Sequence, residues 1–514
     1  MKNLLSTEGA DAPPTDTRPA GLAARLATSR PPQMASQRWK AFALLVVAYF
    51  ITIVDFTIVN VALPAIGREL RFPESGLQWV VTAYGLTFAG FLLLGGRAAD
   101  LLGRRRLLMV GLAVFTVASL AGGLATSDTF LIVMRGVQGL GAALVLPAAL
   151  SIVMNMFSEG TERNKALGIW GRVGALGGTV GLLAGGVLTT YAGWQYVFFF
   201  NVPIGAAALA LAPKVLPESG ARSGQRRYDT FGAVSITAAL LVFVYAISQA
   251  PQAGWAAAQT IAMLAVGAAL LALFLVVETK AGAPLLPLPF LRLRSVAGSN
   301  AVGFLLGTSF LTFVFLGTLY MQQVLGFSAL ATGAAWMTAS VTSLAFGGLS
   351  QRIVTRTSAK PVMAFGMALI GAGMLWAAQA PVNGSFWPDL AGPFFIAGIG
   401  TAFAFIPVSI GALAGVTERD AGVASGLLNT SQNLGGAIGV AVASSIAASH
   451  SHTLARHGYA TAAALTGGFQ WALWVCGLTA LAAIPVAFVL IRSTRKADVI
   501  ATAQSQDLVM DTTR

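Results

Sequence analysis

The sequence predicts an all-α polytopic membrane protein. Of its 514 residues, 56% are apolar and only 10% are charged, and the mean hydropathy is +0.75. Soluble domains carry roughly a quarter of their residues as charges, so this composition excludes an ordinary soluble protein, and it equally excludes a disordered chain. The net charge of +13 does not indicate a nucleic-acid binder, because the basic residues lie in short links between apolar runs.

Fourteen apolar runs are long enough to cross a bilayer. A spanning helix needs about 20 residues, and a helix is required because it satisfies its own backbone groups in lipid. The predicted spans are residues 41–64, 78–98, 106–126, 130–153, 167–190, 197–216, 231–249, 258–278, 296–321, 331–354, 361–380, 389–415, 421–447 and 467–491.

The basic residues orient these spans. With both termini in the cytoplasm, 27 of the 32 Lys and Arg residues fall in tails and links of the cytoplasmic side, and three fall in outer links. Cytoplasmic links carry such an excess in membrane proteins. We therefore predict a multi-pass protein of the cytoplasmic (inner) membrane, with a disordered cytoplasmic tail at 1–40 and a second cytoplasmic tail at 492–514.

A weak internal repeat divides the chain. The glycine and basic residues that close the second span, residues 96–106, have a counterpart at the end of the tenth, residues 347–352. We predict a six-helix bundle at 41–216, a linker with two inserted helices at 217–295 and a second six-helix bundle at 296–491. Two such halves are a transporter design whose site lies between them near mid-membrane.

Asp55 is the one acidic residue well inside a predicted span. A charge there costs a few kcal/mol, which makes it a candidate for function. Arg135 lies at a similar depth, and an arginine stabilises a carboxylate while desolvation opposes its charge, a balance that can switch with conformation. We predict that this pair couples transport to protons. A permanent ion pair that only locks two helices, and a site for a cationic substrate, stay open as alternatives.

Three further groups of residues are candidates. The link after the second span is a candidate gate, formed by Gly96, Asp100, Gly103, Arg104 and Arg105. The fifth span carries small residues at helical spacing, namely Gly168, Gly177, Gly181, Gly185 and Gly186. Polar candidates for a substrate cavity are Asn60, Gln138, Gln322, Asn429 and Asn433. The arginines would be equally explained by their role in orienting the protein in the membrane. The glycines and amides would be equally explained by helix packing.

The links contain no metal-ligand cluster, no nucleotide-binding loop and no nucleophile–base pair. The three histidines, His450, His452 and His457, share one outer link that is typical of a solvated loop. We therefore predict neither an enzyme nor a metal site.

Four stretches resemble the major facilitator superfamily, and within it the fourteen-span drug:proton antiporters of the EmrB/QacA type. They are residues 55–64 (DFTIVNVALP), residues 96–105 (GRAADLLGRR), residues 135–141 (RGVQGLG) and the glycines of the fifth span. Residues 201–205 and 422–427 are also similar to this group. The chain departs from the family at Leu101, where a basic residue is usual, and at Leu182, where proline is usual.

The resemblance implies the major facilitator fold and proton-coupled efflux of hydrophobic or cationic small molecules by alternating access. It implies a lipid bilayer, a drug-like molecule and protons as partners, no nucleic acid and no cofactor, and we expect a monomer. It also implies that Asp100 contacts the start of the thirteenth span, near residues 420–422, in the outward-facing state. A dedicated exporter of one metabolite or self-made antibiotic, and a membrane sensor that transports nothing, are the alternatives.

Overall fold

The computed structural model describes residues 32–73, 76–157, 161–216, 230–254, 256–280, 293–416 and 421–491. Within these ranges the chain consists of helices and short turns and contains no β-strand, so the all-α prediction is confirmed there. The tail predicted at 492–514, residues 1–31 of the other tail, and most of the segment between the sixth and seventh spans lie outside the described residues.

The first six long helices are α1 Pro32–Glu69, α2 Trp79–Leu102, α3 Arg104–Gly123, α4 Asp128–Met156, α5 Thr161–Tyr191 and α6 Asn201–Val215. α1 is described from Pro32 onward, so its first residues lie inside the predicted tail of residues 1–40. A separate helical turn, Tyr196–Phe199, precedes α6. Phe200 between them keeps helical backbone angles, and Tyr196–Val215 together form one candidate span, close to the predicted sixth one.

The remaining long helices are α7 Thr230–Ala253, α8 Ala258–Lys280, α9 Arg294–Leu319, α10 Ala329–Arg356, α11 Ala359–Ala377, α12 Ala391–Ala412, α13 Ala421–Arg456 and α14 Thr461–Leu490. Two π-helical turns adjoin them, Tyr320–Val324 after α9 and Phe386–Leu390 before α12. An apolar run in the sequence predicts how far a span extends, but it does not indicate such a change of helix type.

Eleven helical segments of the described residues are long and apolar enough to cross a membrane. α2, α5 and α7 contain shorter apolar runs, at Trp79–Leu92, Leu176–Tyr191 and Val234–Ile247. The fold is therefore that of a multi-pass membrane protein. That all fourteen helices cross the membrane stays a prediction.

The helices pack in two sets that share one pattern. In the first set, α1 packs against α4, α5 and α6, α4 packs against α2 and α3, and α3 packs against α6. In the second set, α9 packs against α12, α13 and α14, α12 packs against α10 and α11, and α11 packs against α14. Each of these six pairs of the second set corresponds to a pair eight helices earlier, while the contact between α13 and α14 has no such counterpart between α5 and α6 among the described residues.

Two seams join the sets. α5 packs against α10, and α2 packs against α13. α7 packs against both helices of the second seam, and α8 packs against α7. The Thr237 hydroxyl of α7 donates to Gly90 O of α2 at 2.7 Å. Apolar side chains join α7 to α13 at this seam, in a cluster of Leu86, Leu241, Leu434, Ala437 and Ile438.

The buried core differs between the two ends of the helices. We call the end that carries Lys40, Arg104 and Lys360 the basic face, and the end that carries Glu69 and Ser328 the opposite face. Residues of α1 between 54 and 66, which lie toward the opposite face, belong to a core shared with the second set. Residues of α1 between 41 and 51 belong to a separate core of the first set alone. The two sets are therefore joined by a buried core mainly toward the opposite face.

The glycines of α5 lie where this helix meets its neighbours. The nearest side chains or backbone are Phe50 and Ile53 at Gly177, Val54 and Thr57 at Gly181, Ile58 at Gly185, and Ala329 and Leu330 of α10 at Gly186. The surroundings of Gly168 lie outside the described residues. These glycines therefore allow α5 to approach α1 and α10 closely.

We expect Gly181→Ala to lower the thermal stability of the purified protein. The added carbon would lie 2.9 Å from Val54 O, and overpacking of this kind typically costs about 1–3 kcal/mol. The measurement is the midpoint temperature of thermal unfolding in detergent, monitored by circular dichroism. Gly178→Ala is the matched control, because among the described residues no atom lies within 4 Å of its added carbon. Equal midpoints for the two variants would contradict the packing argument.

Candidate functional site

Asp55 lies within α1 at the boundary between the two cores. Its side chain is fully buried, with 0% exposure. Residues 41–51 of α1 pack in the core of the first set, and residues 54–66 pack in the shared core. A carboxylate removed from water in this way requires hydrogen-bond donors and a countercharge.

Arg135 of α4 supplies the countercharge. Its Nη1 lies 2.6 Å from Asp55 Oδ2, and its side chain is 1% exposed. Its Nε donates to Val80 O of α2 at 2.9 Å. The guanidinium also lies over the Tyr84 ring, 4.4 Å from the ring centre, a contact that is strongest where both groups are desolvated. The arginine is therefore fixed by α1 and α2 together.

Two side-chain amides complete the surroundings of the carboxylate. Gln138, one turn beyond Arg135, donates through Nε2 to Asp55 Oδ1 at 3.1 Å and to Ser119 Oγ of α3 at 2.8 Å. Asn201, the first residue of α6, donates through Nδ2 to Asp55 Oδ1 at 2.7 Å. We call Asp55, Arg135, Gln138, Asn201 and Ser119 the carboxylate cluster. It brings α1, α3, α4 and α6 together.

The carboxylate cluster holds one negative and one positive charge, and its other members are neutral. Removing one partner of a buried ion pair typically costs about 3–5 kcal/mol, because the other charge is left uncompensated. Protonation of Asp55 removes one charge of the pair without removing an atom. The arrangement therefore links the protonation of one carboxyl to the packing of four helices.

The predicted gate lies at the basic-face end of α2. Gly103 has a φ of 96°, a conformation that favours glycine, and it ends α2 and starts α3 within one residue. Gly96 lies within α2 and faces Pro147 of α4. Arg105 donates from Nη1 to Leu216 O, just beyond α6, at 3.2 Å. Arg104 is the first residue of α3. Asp100 lies in α2, but its side chain is outside the described part of the chain, so its predicted contact with α13 stays a prediction.

Two of the predicted cavity residues are fully buried. Gln138 belongs to the carboxylate cluster. Asn60, at 0% exposure, donates to the carbonyls of its own helix at Phe56 and Thr57, at 3.1 and 3.3 Å. In this conformation neither presents its side chain to an open cavity.

The other three predicted cavity residues are half-buried. Gln322, in the π-helical turn after α9, donates to Val61 O of α1 at 2.8 Å and so connects the two sets. Asn429 and Asn433 of α13 each donate to the carbonyl four residues earlier. That these residues line a substrate cavity stays a prediction.

Three residues of this region were not among the candidates predicted from the sequence. Asn201 and Ser119 belong to the carboxylate cluster, and Tyr84 packs on Arg135. A signal existed for Asn201, since it is an amide two residues before Pro203 at the head of a predicted span. Ser119 and Tyr84 lie in apolar runs with no pattern that distinguishes them.

Among the described residues, no group of three His, Cys, Asp or Glu side chains could hold a metal ion. His457 Nδ1 lies 2.7 Å from Thr453 O, and the His450 ring packs beside Trp471. The single cysteine, Cys476, is buried.

Known proteins share this architecture. The sequence model of the Major Facilitator Superfamily matches residues 45–440 of this chain. The chain is 39% identical to the cephamycin export protein CmcT of Amycolatopsis lactamdurans, over 78% of this chain and 83% of that protein. It is 34% identical to the puromycin resistance protein pur8 of Streptomyces alboniger, over 90% and 93% of the two chains. The crystal structure of an auto-inhibited POT family peptide transporter has a similar fold, with a TM-score of 0.66 and 14% identity over 89% of this chain and 98% of that chain. The chain therefore belongs to the Major Facilitator Superfamily.

Proposed function

We propose that this protein exports small molecules across the cytoplasmic membrane in exchange for protons that move inward. The observation that carries the proposal is the buried ion pair of Asp55 and Arg135 inside membrane-spanning helices. The relatives named for cephamycin export and puromycin resistance support the export of small molecules. Membership of a transporter family argues against an enzyme.

Protons enter the cycle at Asp55. When a proton binds, Asp55 becomes neutral and its attraction to Arg135 weakens, so the contacts among α1, α3, α4 and α6 change. When the proton leaves toward the cytoplasm, the ion pair forms again and resets the carrier. A cationic substrate bound directly to Asp55 is less well supported, because the carboxylate is fully buried and already holds Arg135, Gln138 and Asn201.

Alternating access is supported by where the two sets meet. The residues of the first set that belong to the shared core lie toward the opposite face, and two hydrogen bonds cross between the sets near that face. Gln322 donates to Val61 O at 2.8 Å, and the backbone N–H of Leu330 donates to Thr190 Oγ1 at 3.2 Å. We infer that the described conformation is closed on the opposite face, and that this face is the outer one.

The finer features of the architecture belong to the same proposal. We propose fourteen spans of the EmrB/QacA type, with both termini cytoplasmic, in two six-helix bundles and an inserted pair, α7 and α8. The matching helix contacts of the two sets support the two bundles. Asp100 would act at the gate by contacting the start of α13. The working unit is a monomer.

The substrate is a hydrophobic or cationic small molecule. A dedicated exporter of a single compound is the second candidate, and it is favoured by relatives that are named for one antibiotic each. A sensor that transports nothing is less well supported, because it gives no reason for a buried carboxylate–arginine pair in the membrane. Uptake of several unrelated compounds into inverted vesicles would separate a broad exporter from a dedicated one.

We expect Asp55→Asn to abolish proton-driven transport. The amide has nearly the shape of the carboxyl group but cannot be charged, so it cannot take up and release a proton. The measurement is proton-driven substrate uptake into proteoliposomes with an imposed pH gradient. Exchange of labelled for unlabelled substrate without a gradient should continue, since that reaction needs no net proton movement.

Glu69→Gln is the matched control, because it makes the same chemical change on the same helix. Glu69 is exposed at the opposite-face end of α1 and accepts a hydrogen bond from Gln195 at 2.8 Å. We expect its proton-driven transport to stay within about twofold of wild type, since exposed pairs contribute only about 0–1 kcal/mol. Full proton-driven transport by Asp55→Asn would refute the role of Asp55 and favour a permanent structural pair.

We expect the separation of the two sets at the opposite face to depend on the protonation of Asp55. Spin labels at Tyr191 of α5 and Ala331 of α10, both exposed, report the seam between the sets in a Cys476→Ala background. Pulsed electron paramagnetic resonance should show that the distance between them changes with pH, and that this change is lost in Asp55→Asn. A pair at Arg68 and Tyr191, within the first set, should keep its distance. If both pairs keep their distances across pH and with substrate, alternating access driven from Asp55 is contradicted.

A further inference from the structure

The three side chains that donate hydrogen bonds to Asp55 differ in the other hydrogen bonds that they make. Arg135 also binds Val80 O and Gln138 Oε1. Gln138 uses Nε2 for Asp55 and Ser119, while its Oε1 accepts from Arg135 at 3.0 Å. Neither group can turn without losing a second hydrogen bond in a buried place.

Asn201 is the exception. Its Nδ2 donates to Asp55 Oδ1 at 2.7 Å, and this is the one side-chain hydrogen bond that it makes among the described residues. Its Oδ1 is buried and has no hydrogen-bond partner there. Thirteen buried side-chain nitrogen and oxygen atoms of the described residues have no hydrogen-bond partner, and Asn201 Oδ1 is the one that belongs to a donor to Asp55.

The neutral form of Asp55 needs a partner of a different kind. A carboxylate only accepts hydrogen bonds, whereas a protonated carboxyl carries an O–H that must donate. Arg135 has no acceptor, and Gln138 Oε1 already accepts from Arg135. A half-turn of the Asn201 amide about its last side-chain bond places Oδ1 beside Asp55 and breaks no other side-chain hydrogen bond of the described residues.

We propose that Asn201 is a positioning residue that hydrogen-bonds Asp55 in both of its protonation states, as a donor to the carboxylate and as an acceptor from the acid. The proton comes from water and bonds to a carboxyl oxygen of Asp55. The resulting O–H donates to Asn201 Oδ1, and on release the proton returns to water while the amide turns back. The proposal rests on the proposed function of Asp55 as the proton carrier.

The test is pH-induced infrared difference spectroscopy of the full chain in lipid nanodiscs, with isotope-labelled asparagine. In wild type, the carboxylic-acid C=O band of Asp55 should appear at low pH together with a shift of a labelled amide band. Both changes should be lost in Asp55→Asn. In Asn201→Leu, the amide shift should disappear while the acid band remains.

The midpoint of the acid band provides a second measure. Asn201→Leu should move it by about one pH unit in favour of the neutral acid, because the bond to the charged carboxylate is the stronger of the two that are lost. Thr116→Val is the matched control, since Thr116 is a buried threonine on α3 that contacts Gly205, one turn beyond Asn201 on α6, and does not touch Asp55. Its midpoint should equal that of wild type.

The outcomes separate this proposal from the function on which it rests. If no acid band is lost in Asp55→Asn, Asp55 does not titrate, and the proposed proton carrier fails. If Asp55 titrates but no labelled amide band follows it in wild type, the role of Asn201 alone is overturned. An unmoved midpoint in Asn201→Leu, or an equal shift in Thr116→Val, also overturns that role. The comparison of wild type with Asp55→Asn remains decisive if Asn201→Leu does not fold.

Discussion

A charged carboxylate inside a bundle of apolar helices persists only where other side chains replace the water that it has lost. For Asp55, a guanidinium and two amides from α4 and α6 provide that replacement, and Ser119 of α3 holds one of the amides. Each donor comes from a helix that must be correctly placed for the bond to form. The placement of these helices and the electrostatics of Asp55 are therefore coupled, because each hydrogen bond to the carboxylate depends on the position of the helix that supplies it.

The position of Asp55 along α1 extends this coupling from the first set of helices to the second. On one side of Asp55, α1 packs only with its own set, and on the other side it packs in the core shared with the second set. Gln322 then reaches Val61, less than two turns beyond Asp55, from the second set. A change in the charge of Asp55 thus acts next to the segment of α1 that packs against both sets. A shift of that segment would alter the packing of both sets.

Composition and spacing predicted much of this molecule and failed at definable points. Asp55 stood out because lipid makes an isolated charge expensive, and Arg135 because it lay at a matching depth. Asn201 and Ser119 were missed because small neutral polar residues are common in membrane helices, and only a three-dimensional arrangement shows which of them meet a charge. The two π-helical turns were also missed, since hydropathy records how apolar a stretch is and not how its backbone is hydrogen-bonded.

The two seams between the helix sets are unequal in their surroundings. α7 and α8 lie beside the seam of α2 and α13, where α7 is hydrogen-bonded to α2 and meets α13 through apolar side chains. Within the described residues, no equivalent pair packs beside the seam of α5 and α10. In the described part of the chain, the helix arrangement is therefore asymmetric in the plane of the membrane, with an extra helix pair beside one seam alone.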